Sequence, residues 1–221
     1  MMNDVIFNHD KTDPISAFDD WDLVLTKEEN PLPTPKLVTV DIKGADGKLD
    51  LSEVATGELR YNNRNIKLTF EMMDVKNYHG LMSNISHHIH GKMITMLFTN
   101  DDGYYYSGRA TISKWECSKN KGTVVIDVDA YPYKRAVHEI NISFSFNGET
   151  VKYFDAYTTE KICPKLKVTG TANIIIGDTI ISYTDGTYSI NEILIHGGVN
   201  SIALADGSNG SITLTYRSGV F

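Results

Sequence analysis

The feature that most constrains this fold is an alternation of apolar and polar residues with a period of two. It recurs in four separate runs: Ile66–Met72, Val124–Val128, Ile140–Phe146 and Ile212–Tyr216. Successive side chains of a β-strand point to opposite faces of a sheet, so each run is typical of a strand with one buried face. Turn residues such as Asn147-Gly148 and Asp206-Gly207 separate the runs. Many short strands between such turns favour a β-sandwich or barrel over a wound parallel sheet.

One segment has a helical period instead. Its apolar side chains fall three and four residues apart and share one face: Tyr78, Leu81, Met82, Ile85 and Ile89. Gly91 follows where a helix C-cap is expected. The sequence contains no second helical pattern, so we expect this helix to lie across a sheet. The fold class predicted is therefore mainly β with one α-helix.

The composition changes near residues 131–138. The helix and both tryptophans lie upstream, whereas the chain downstream is almost wholly short strands and turns. We therefore predict an N-terminal domain at 1–136, barrel-like or sandwich-like with one packed helix, and a small β-sandwich at 137–221. Pro31–Pro35 is expected to run over the surface as polyproline.

The charge balance argues against specific nucleic-acid binding. The 221 residues include 21 Lys and Arg against 28 Asp and Glu, a formal net charge of −7. The best apolar run, Met93–Phe98, is strand-sized and far below the roughly 20 residues of a membrane helix. The first residues show no signal-peptide pattern, and Cys117 and Cys163 are interpreted as reduced thiols. We expect a protein made in the cytoplasm, without a membrane partner.

Two groups of residues resemble metal ligands. The first group is a histidine cluster: His79, His87, His88 and His90. No Asp, Glu or Cys lies nearby to complete a shell, which favours capping of the helix C-terminus. The second group surrounds Gly47: Asp46, Asp50 and Glu53. Lys48 and Leu49 occupy the ligand positions of a calcium loop, which favours a tight turn. We predict no metal and no cofactor.

Several aspartates are candidates for the paired carboxylates of a glycoside hydrolase. The candidates are Asp19, Asp20, Asp22, Asp101 and Asp102. A glycosidase needs two carboxyl groups facing one another across a cleft, whereas adjacent aspartates on one loop point apart. Asp101–Gly103 is interpreted as a hairpin turn. Since no nucleophile elbow, P-loop or dinucleotide motif occurs either, we predict no catalytic residue and no enzyme.

Clustered aromatic residues suggest a binding surface. Tyr104–Tyr106 and Trp115 are favoured as core or subunit contacts over a sugar platform. The aromatic residues of the second domain show no clustered pattern: Tyr153, Phe154, Tyr183, Tyr188 and Tyr216.

A longer pattern covers nearly the whole chain in order. Val40–Glu53 is followed by Gly57 and then by Tyr61–Ile66. Further pieces accompany this core motif: Asp20–Leu23, His90–Lys92, Asp101-Asp102 with Tyr106–Arg109, Tyr131–Lys134, Gly197–Ile202 and Gly210–Gly219. Together they resemble the distal tail proteins of siphophages, prophages and tail-like bacteriocins. The chain departs from that pattern at Lys43, where proline is frequent, and at Asp155–Tyr157.

The resemblance implies a structural role. Such proteins form a hexameric ring through their N-terminal domains and join the major tail tube protein to a tail-associated hub or lysin protein. DNA passes through the ring. Their galectin-like C-terminal domains can carry a receptor-binding or side-fibre protein. The implied location is the virion tail tip or a bacteriocin particle.

Two alternatives are weighed against this interpretation. One is a carbohydrate-binding adhesion module of a tail tip, acting through exposed aromatics of the C-terminal sandwich. The other is a tail-tip glycoside hydrolase, for which the sequence offers no carboxylate pair. The structural role is favoured because a ring of β domains needs strand edges and apolar patches, and no catalytic residues.

Overall fold

A computed structural model describes residues 4–8, 11, 13–72, 75–118 and 121–221. These residues form two compact units. The first takes the described residues up to Lys134 together with Phe221, and the second takes Arg135–Val220. The assignment of 1–136 and 137–221 to two functional domains stays a prediction.

The first unit is an antiparallel sheet with one helix. Its elements are β1 (Val5–Phe7), β2 (Ile15–Ser16), β3 (Leu23–Glu29), β4 (Thr39–Asp41), β5 (Lys48–Asp50), β6 (Arg64–Met72), α1 (Tyr78–Ile89), β7 (Met93–Phe98), β8 (Tyr104–Cys117) and β9 (Gly122–Ala130). Seven of these strands follow the order β2-β1-β7-β8-β9-β6-β3, and β4 and β5 pair separately. The predicted hairpin turn at Asp101–Gly103 is confirmed, since it joins β7 to its partner β8.

Helix α1 packs on this sheet, as predicted. Ile85 and Ile89 are fully buried in a core that they share with the strands. Met82 lies at the margin of the buried face and is 37% exposed, so the apolar face is narrower than the sequence indicates. Gly91 has a φ of 73° and its N–H donates to the carbonyl of Ala110, which fixes the helix end against β8.

The second unit is a β-sandwich. Its strands are β11 (Ile140–Asn147), β12 (Thr150–Ala156), β13 (Lys165–Ile176), β14 (Thr179–Tyr183), β15 (Gly186–Ser189), β16 (Gly198–Leu204) and β17 (Asn209–Tyr216). Two further short strands, β10 (Lys134–Ala136) and β18 (Gly219–Val220), pair with one another and are not part of this sheet. Pairing follows the order β11-β17-β13-β16-β12, with β14 and β15 also on β13. The mainly β fold class with one helix is confirmed among the described residues. The galectin-like assignment stays a prediction.

The long strand β13 belongs to both sides of the sandwich. Residues 165–171 pair with β17, and residues 172–176 pair with β14. The change occurs beside Gly170, which lies opposite Gly210 of β17. Both glycines have positive φ, of 93° and 136°, and a Cβ on Gly210 would stand 1.9 Å from the carbonyl oxygen of Thr169. Only glycine fits at this close backbone approach.

Candidate assembly surface

An arm leaves the first unit between β3 and β6. We define the arm as residues 31–62. Every residue from 34 to 50 is exposed, and the core of the unit contains no residue of the arm. The base of the arm is held by its own backbone, because the N–H of Lys36 donates to the carbonyl of Arg60 over 2.7 Å and that of Asn62 to Thr34 over 2.8 Å.

The outer part of the arm is a hairpin with two different faces. In the register of β4 and β5, Val40 lies opposite Leu49, while Asp41 lies opposite Lys48. Side chains two apart along a strand share a face, so Val38 and Ile42 join Val40 on the apolar side. We call Val38, Val40, Ile42 and Leu49 the apolar face of the arm. All four are exposed.

Exposed apolar residues are concentrated on the arm. It holds seven of the 18 large hydrophobic side chains that are exposed in the described residues: Leu32, Leu37, Val38, Val40, Ile42, Leu49 and Val54. Single exposed apolar side chains are ordinary, whereas a contiguous group marks an interaction site. The sequence analysis used Val40 only as part of the family-like pattern and gave no sign that both faces of this hairpin are uncovered.

Local hydrogen bonds give the arm its shape. The N–H of Val38 donates to Ser52 Oγ, and the N–H of Leu51 donates to the carbonyl of Val38, both over 2.8 Å. The hydroxyl and N–H of Ser52 donate to the carboxylate of Asp50. These two hydrogen bonds favour the charged form and lower the pKa of Asp50.

The arm is anchored at its root by Arg64, Asn30 and Tyr106. Arg64 is 4% exposed, and its guanidinium carbon lies 4.8 Å from the centroid of the Tyr106 ring, as in a cation–π contact. Asn30 Nδ2 donates to the Tyr106 hydroxyl over 3.0 Å. Burial lowers the pKa of Arg64. The sequence pointed to Arg64 only as part of the family-like motif.

Three of the four candidate histidines, His87, His88 and His90, lie at the end of helix α1, whereas His79 lies in its first turn. His90 Nδ1 accepts the N–H of Ile112 over 3.1 Å, and His88 Nδ1 contacts the carbonyl of Asn84 over 2.8 Å. The rings of His87 and His88 meet edge to face. Within the described ranges, no three His, Cys, Asp or Glu side chains come together as a metal site requires.

The candidate aspartates serve local turns and ion pairs. Asp101 forms an ion pair with Lys134 over 2.7 Å, and Asp20 accepts the N–H of Ser16 over 2.8 Å. Asp46, Asp50 and Glu53 lie on the arm, where Gly47 takes a φ of 76° in the turn between β4 and β5. The interpretation of this segment as a turn between two extended pieces is confirmed.

The aromatic candidates divide between core and surface. Tyr106 is buried against Phe98, with the ring centroids 5.6 Å apart, and Trp115 packs edge-on against Tyr78 at 5.7 Å. In the second unit, four of the five aromatics contribute to hydrophobic clusters: Phe154, Tyr183, Tyr188 and Tyr216. Tyr153 remains exposed. Both cysteines are free and exposed, and no helix in the described part of the chain has the length and apolarity to cross a membrane.

Comparison with known proteins identifies a similar fold but no similar sequence. No protein-family model and no curated protein matches the chain. Its fold is similar to that of a phage hub protein. One similar structure is the crystal structure of the Dit protein of phage SPP1, which is described as a paradigm of the hub adsorption apparatus in phages that infect Gram-positive bacteria. The TM-score is 0.69 at 10% identity, over 98% of this chain and 99% of that chain. The resemblance to distal tail proteins is thereby confirmed at the level of the fold.

Proposed function

We propose that this protein is a structural, non-enzymatic component of a phage tail tip that assembles as a hexameric ring. The observation that supports the proposal most directly is the apolar face of the arm, which is uncovered in the single chain. The fold shared with the hub protein of phage SPP1 supports the same role.

The arm suits contact between copies arranged head to tail. A heterologous contact joins two different surfaces, and a ring results when the rotation between copies closes. Each side chain of the apolar face contributes about 1 kcal/mol when a neighbour covers it, at roughly 25 cal/mol per Å² of apolar surface. An arm that reaches a neighbouring copy therefore supplies both the driving force and the direction of assembly.

In this role the ring joins the major tail tube protein to a hub or lysin protein at the tail tip. DNA passes through the ring without specific binding, which is compatible with the formal net charge of −7. Residues 137–221 form the domain that carries a receptor-binding or side-fibre protein.

The test compares two substitutions on neighbouring residues of β4. Val40→Asn places a polar group on the apolar face, whereas Thr39→Asn introduces the same side chain on the opposite face and is the control. We expect six-fold rings of wild-type protein in negative-stain images at high concentration, with the mass of six chains by analytical ultracentrifugation. Val40→Asn is expected to raise the concentration needed for assembly at least tenfold, and Thr39→Asn to leave it unchanged.

Two results would contradict the proposal. The first is a mass of one chain, without rings, at every concentration up to the solubility limit. The second is equal assembly of the two variants, because the apolar face then makes no contact between copies.

A carbohydrate-binding role has one observation in its favour. Tyr153 and Tyr157 are 69% and 78% exposed, and exposed aromatic rings can stack on sugars. A glycan array with the full chain and with Tyr153→Ala tests this role. A sugar that binds the wild type and is lost in the variant would establish it.

A further inference from the structure

One outer face of the sandwich in the second unit is apolar in its middle. In the register of the strands, Val151 of β12 lies opposite Ala203 of β16. Ala203 in turn lies opposite Ile175 of β13, and Ile175 lies opposite Ile180 of β14. Residues directly opposite one another point to the same face of a sheet, so these four side chains form a row across four strands. We call Val151, Ala203, Ile175 and Ile180 the apolar row.

The apolar row faces away from the core of the sandwich. Three of its members are exposed, and Ala203 is half-buried. Tyr153 of β12 and Val199 of β16 lie two and four residues from members of the row, so they share its face, and both are exposed. The centre of a protein contact is depleted in charge and enriched in aromatic side chains. The face has this composition, and a contiguous exposed apolar group marks an interaction site.

Acidic residues lie at both ends of these strands. Glu149 directly precedes β12 and Asp206 follows β16, and the two share one end because the strands are antiparallel. Asp155 of β12 and Asp178, in the turn between β13 and β14, lie at the opposite end. All four are exposed, and none takes part in an ion pair found among the described residues. The apolar row therefore has negative charge at both of its sides.

The outward positions of these strands carry no cation. The one Lys or Arg within β12, β14, β16 and residues 172–176, all of which the structure describes, is Lys152. It lies opposite the buried Ile202, and this register places it on the inner side of β12. The carboxylates at the strand ends thus have no cation beside them on this face.

The other outer face of the same sandwich has a different chemistry. Ser143 of β11 lies opposite Thr213 of β17, and their hydroxyl oxygens are 2.8 Å apart. One pair further along, the Thr215 hydroxyl donates to Asn141 Oδ1 over 2.6 Å. Hydroxyl and amide groups of this kind suit a face in contact with water. The apolar row is thus specific to one side of the sandwich.

We propose that the apolar row docks another tail-tip protein, whose contact surface is apolar in its middle and carries Lys or Arg at its ends. The choice of partner follows from charge complementarity. A second copy docked through the same face would bring carboxylates close to carboxylates, and these carboxylates would also repel nucleic acid or an anionic lipid surface. The inference rests on the proposed function, in which residues 137–221 carry a receptor-binding or side-fibre protein, and it specifies the face that does so.

Photo-cross-linking in purified tail particles tests this contact. The photoreactive amino acid p-benzoylphenylalanine replaces Tyr153 beside the apolar row, and in the control it replaces Ser143 on the opposite face. We expect irradiation to link position 153 to a different tail protein, within a segment that has apolar residues between Lys or Arg. Mass spectrometry identifies the linked segment. The control should not yield this product.

Calorimetry with the purified full chain and the partner identified by cross-linking measures the effect of single residues. Ile180→Asn places a polar group in the apolar row and should weaken binding at least about tenfold, as at the centre of an interface. Thr187→Asn is the matched control, because Thr187 is exposed on β15, on the opposite face. Asp178→Asn should weaken binding and reduce its dependence on salt, since it removes one charge beside the row.

Three results would overturn the inference: equal cross-linking from both faces, a link only to another copy of this chain, or equal affinity of Ile180→Asn and Thr187→Asn. A glycan that binds the wild type and is lost in Tyr153→Ala would also overturn it, because the face would then bind a sugar. Ultracentrifugation separates this inference from the proposed function. Rings without a cross-linked partner contradict the inference alone, whereas absence of the chain from tail particles contradicts both.

Discussion

Arg64 is a buried cation that forms no ion pair among the described residues. Its Nε and Nη2 atoms are buried and lack hydrogen-bond partners there, and its main contact is the face of Tyr106. Burial of a charge costs several kcal/mol unless hydrogen bonds and opposite charge compensate it, and an apolar side chain of similar volume often serves equally well. The side chain is therefore retained at a cost in stability, at the point where the arm leaves the sheet.

Two substitutions separate the packing of Arg64 from its charge. Arg64→Met keeps most of the volume and is expected to leave the free energy of unfolding unchanged or raised, because no buried charge remains. Arg64→Ala leaves a cavity over Tyr106 and should lower the free energy of unfolding by about 2 kcal/mol. Urea unfolding of both variants measures the difference, and a large loss in Arg64→Met would show that the charge itself stabilises the fold.

Asp50 reports on the shape of the arm through its ionisation. Ser52→Ala removes the hydroxyl hydrogen bond that lowers the pKa of Asp50, so this pKa should rise in the variant. Thr56→Ala alters another hydroxyl of the arm and is the control. Carboxyl ¹³C NMR measures the shift, and an unchanged pKa would mean that Ser52 does not donate to Asp50 in solution.

The lowered pKa of Asp50 makes the stability of the hairpin depend on pH, and linkage gives the direction of this dependence. Because the folded pKa of Asp50 lies below its usual value of 3.8, its contribution to the hairpin is present above that value. The contribution is lost as the pH falls through the lowered pKa. The protection of the β4 and β5 amides, measured relative to their intrinsic exchange rate at each pH, should therefore fall in acid in the wild type, and this pH dependence should weaken in Ser52→Ala.

At the scale of elements, the second unit depends on one close crossing of strands. Gly210→Ala places a Cβ 1.9 Å from a backbone oxygen at a φ of 136°, so β13 and β17 must separate. We expect a loss of at least about 2 kcal/mol in the free energy of unfolding. In Gly103→Ala nothing lies within 4 Å of the added Cβ, and stability should hold or rise slightly. Thermal and urea unfolding compare the two, and equal stability would contradict this account of the crossing.

Local patterns in the sequence predicted the elements well. The 3.6-residue spacing from Tyr78 to Ile89 defines helix α1, and the alternation at Ile66–Met72 lies within β6. Partners of strands were not predictable in the same way. The Asn147-Gly148 turn joins β11 to β12, yet β11 pairs with β17 and β12 with β16, at opposite ends of the pairing order. A turn signal fixes a reversal of the chain, whereas pairing depends on residues far away in sequence.

The candidate surface was harder to predict than the fold. The alternation at Val38, Val40 and Ile42 resembles that of a half-buried strand, and only the structure shows that these side chains are uncovered. A sequence cannot distinguish a face that packs within the chain from one that packs on another chain, since both require the same apolar residues.

At the scale of the whole molecule, the arm is separable from the fold. Replacing residues 37–59 by Asn-Gly joins Lys36 to Arg60, whose backbones are already hydrogen-bonded, through a two-residue hairpin turn. We expect an unchanged circular dichroism spectrum and melting temperature within a few degrees, because the core contains no residue of the arm. Assembly should be lost at all concentrations measured by ultracentrifugation. Rings formed by the shortened chain would show that other surfaces hold the copies together.

The strand order also determines when each part of the growing chain can fold on the ribosome. All seven strands of the order β2-β1-β7-β8-β9-β6-β3 have been synthesised once residue 130 is added to the chain. Strand β11, in contrast, pairs with β17 and waits for residues 209–216 before its ladder can form. Because domains generally fold as their sequence becomes available, the seven strands next to the arm can pair early, whereas Phe221 joins the first unit only when synthesis ends. Strand β11 therefore stays unpaired during most of the synthesis of the second unit. We expect slower translation or a chaperone to affect the folding of this unit first.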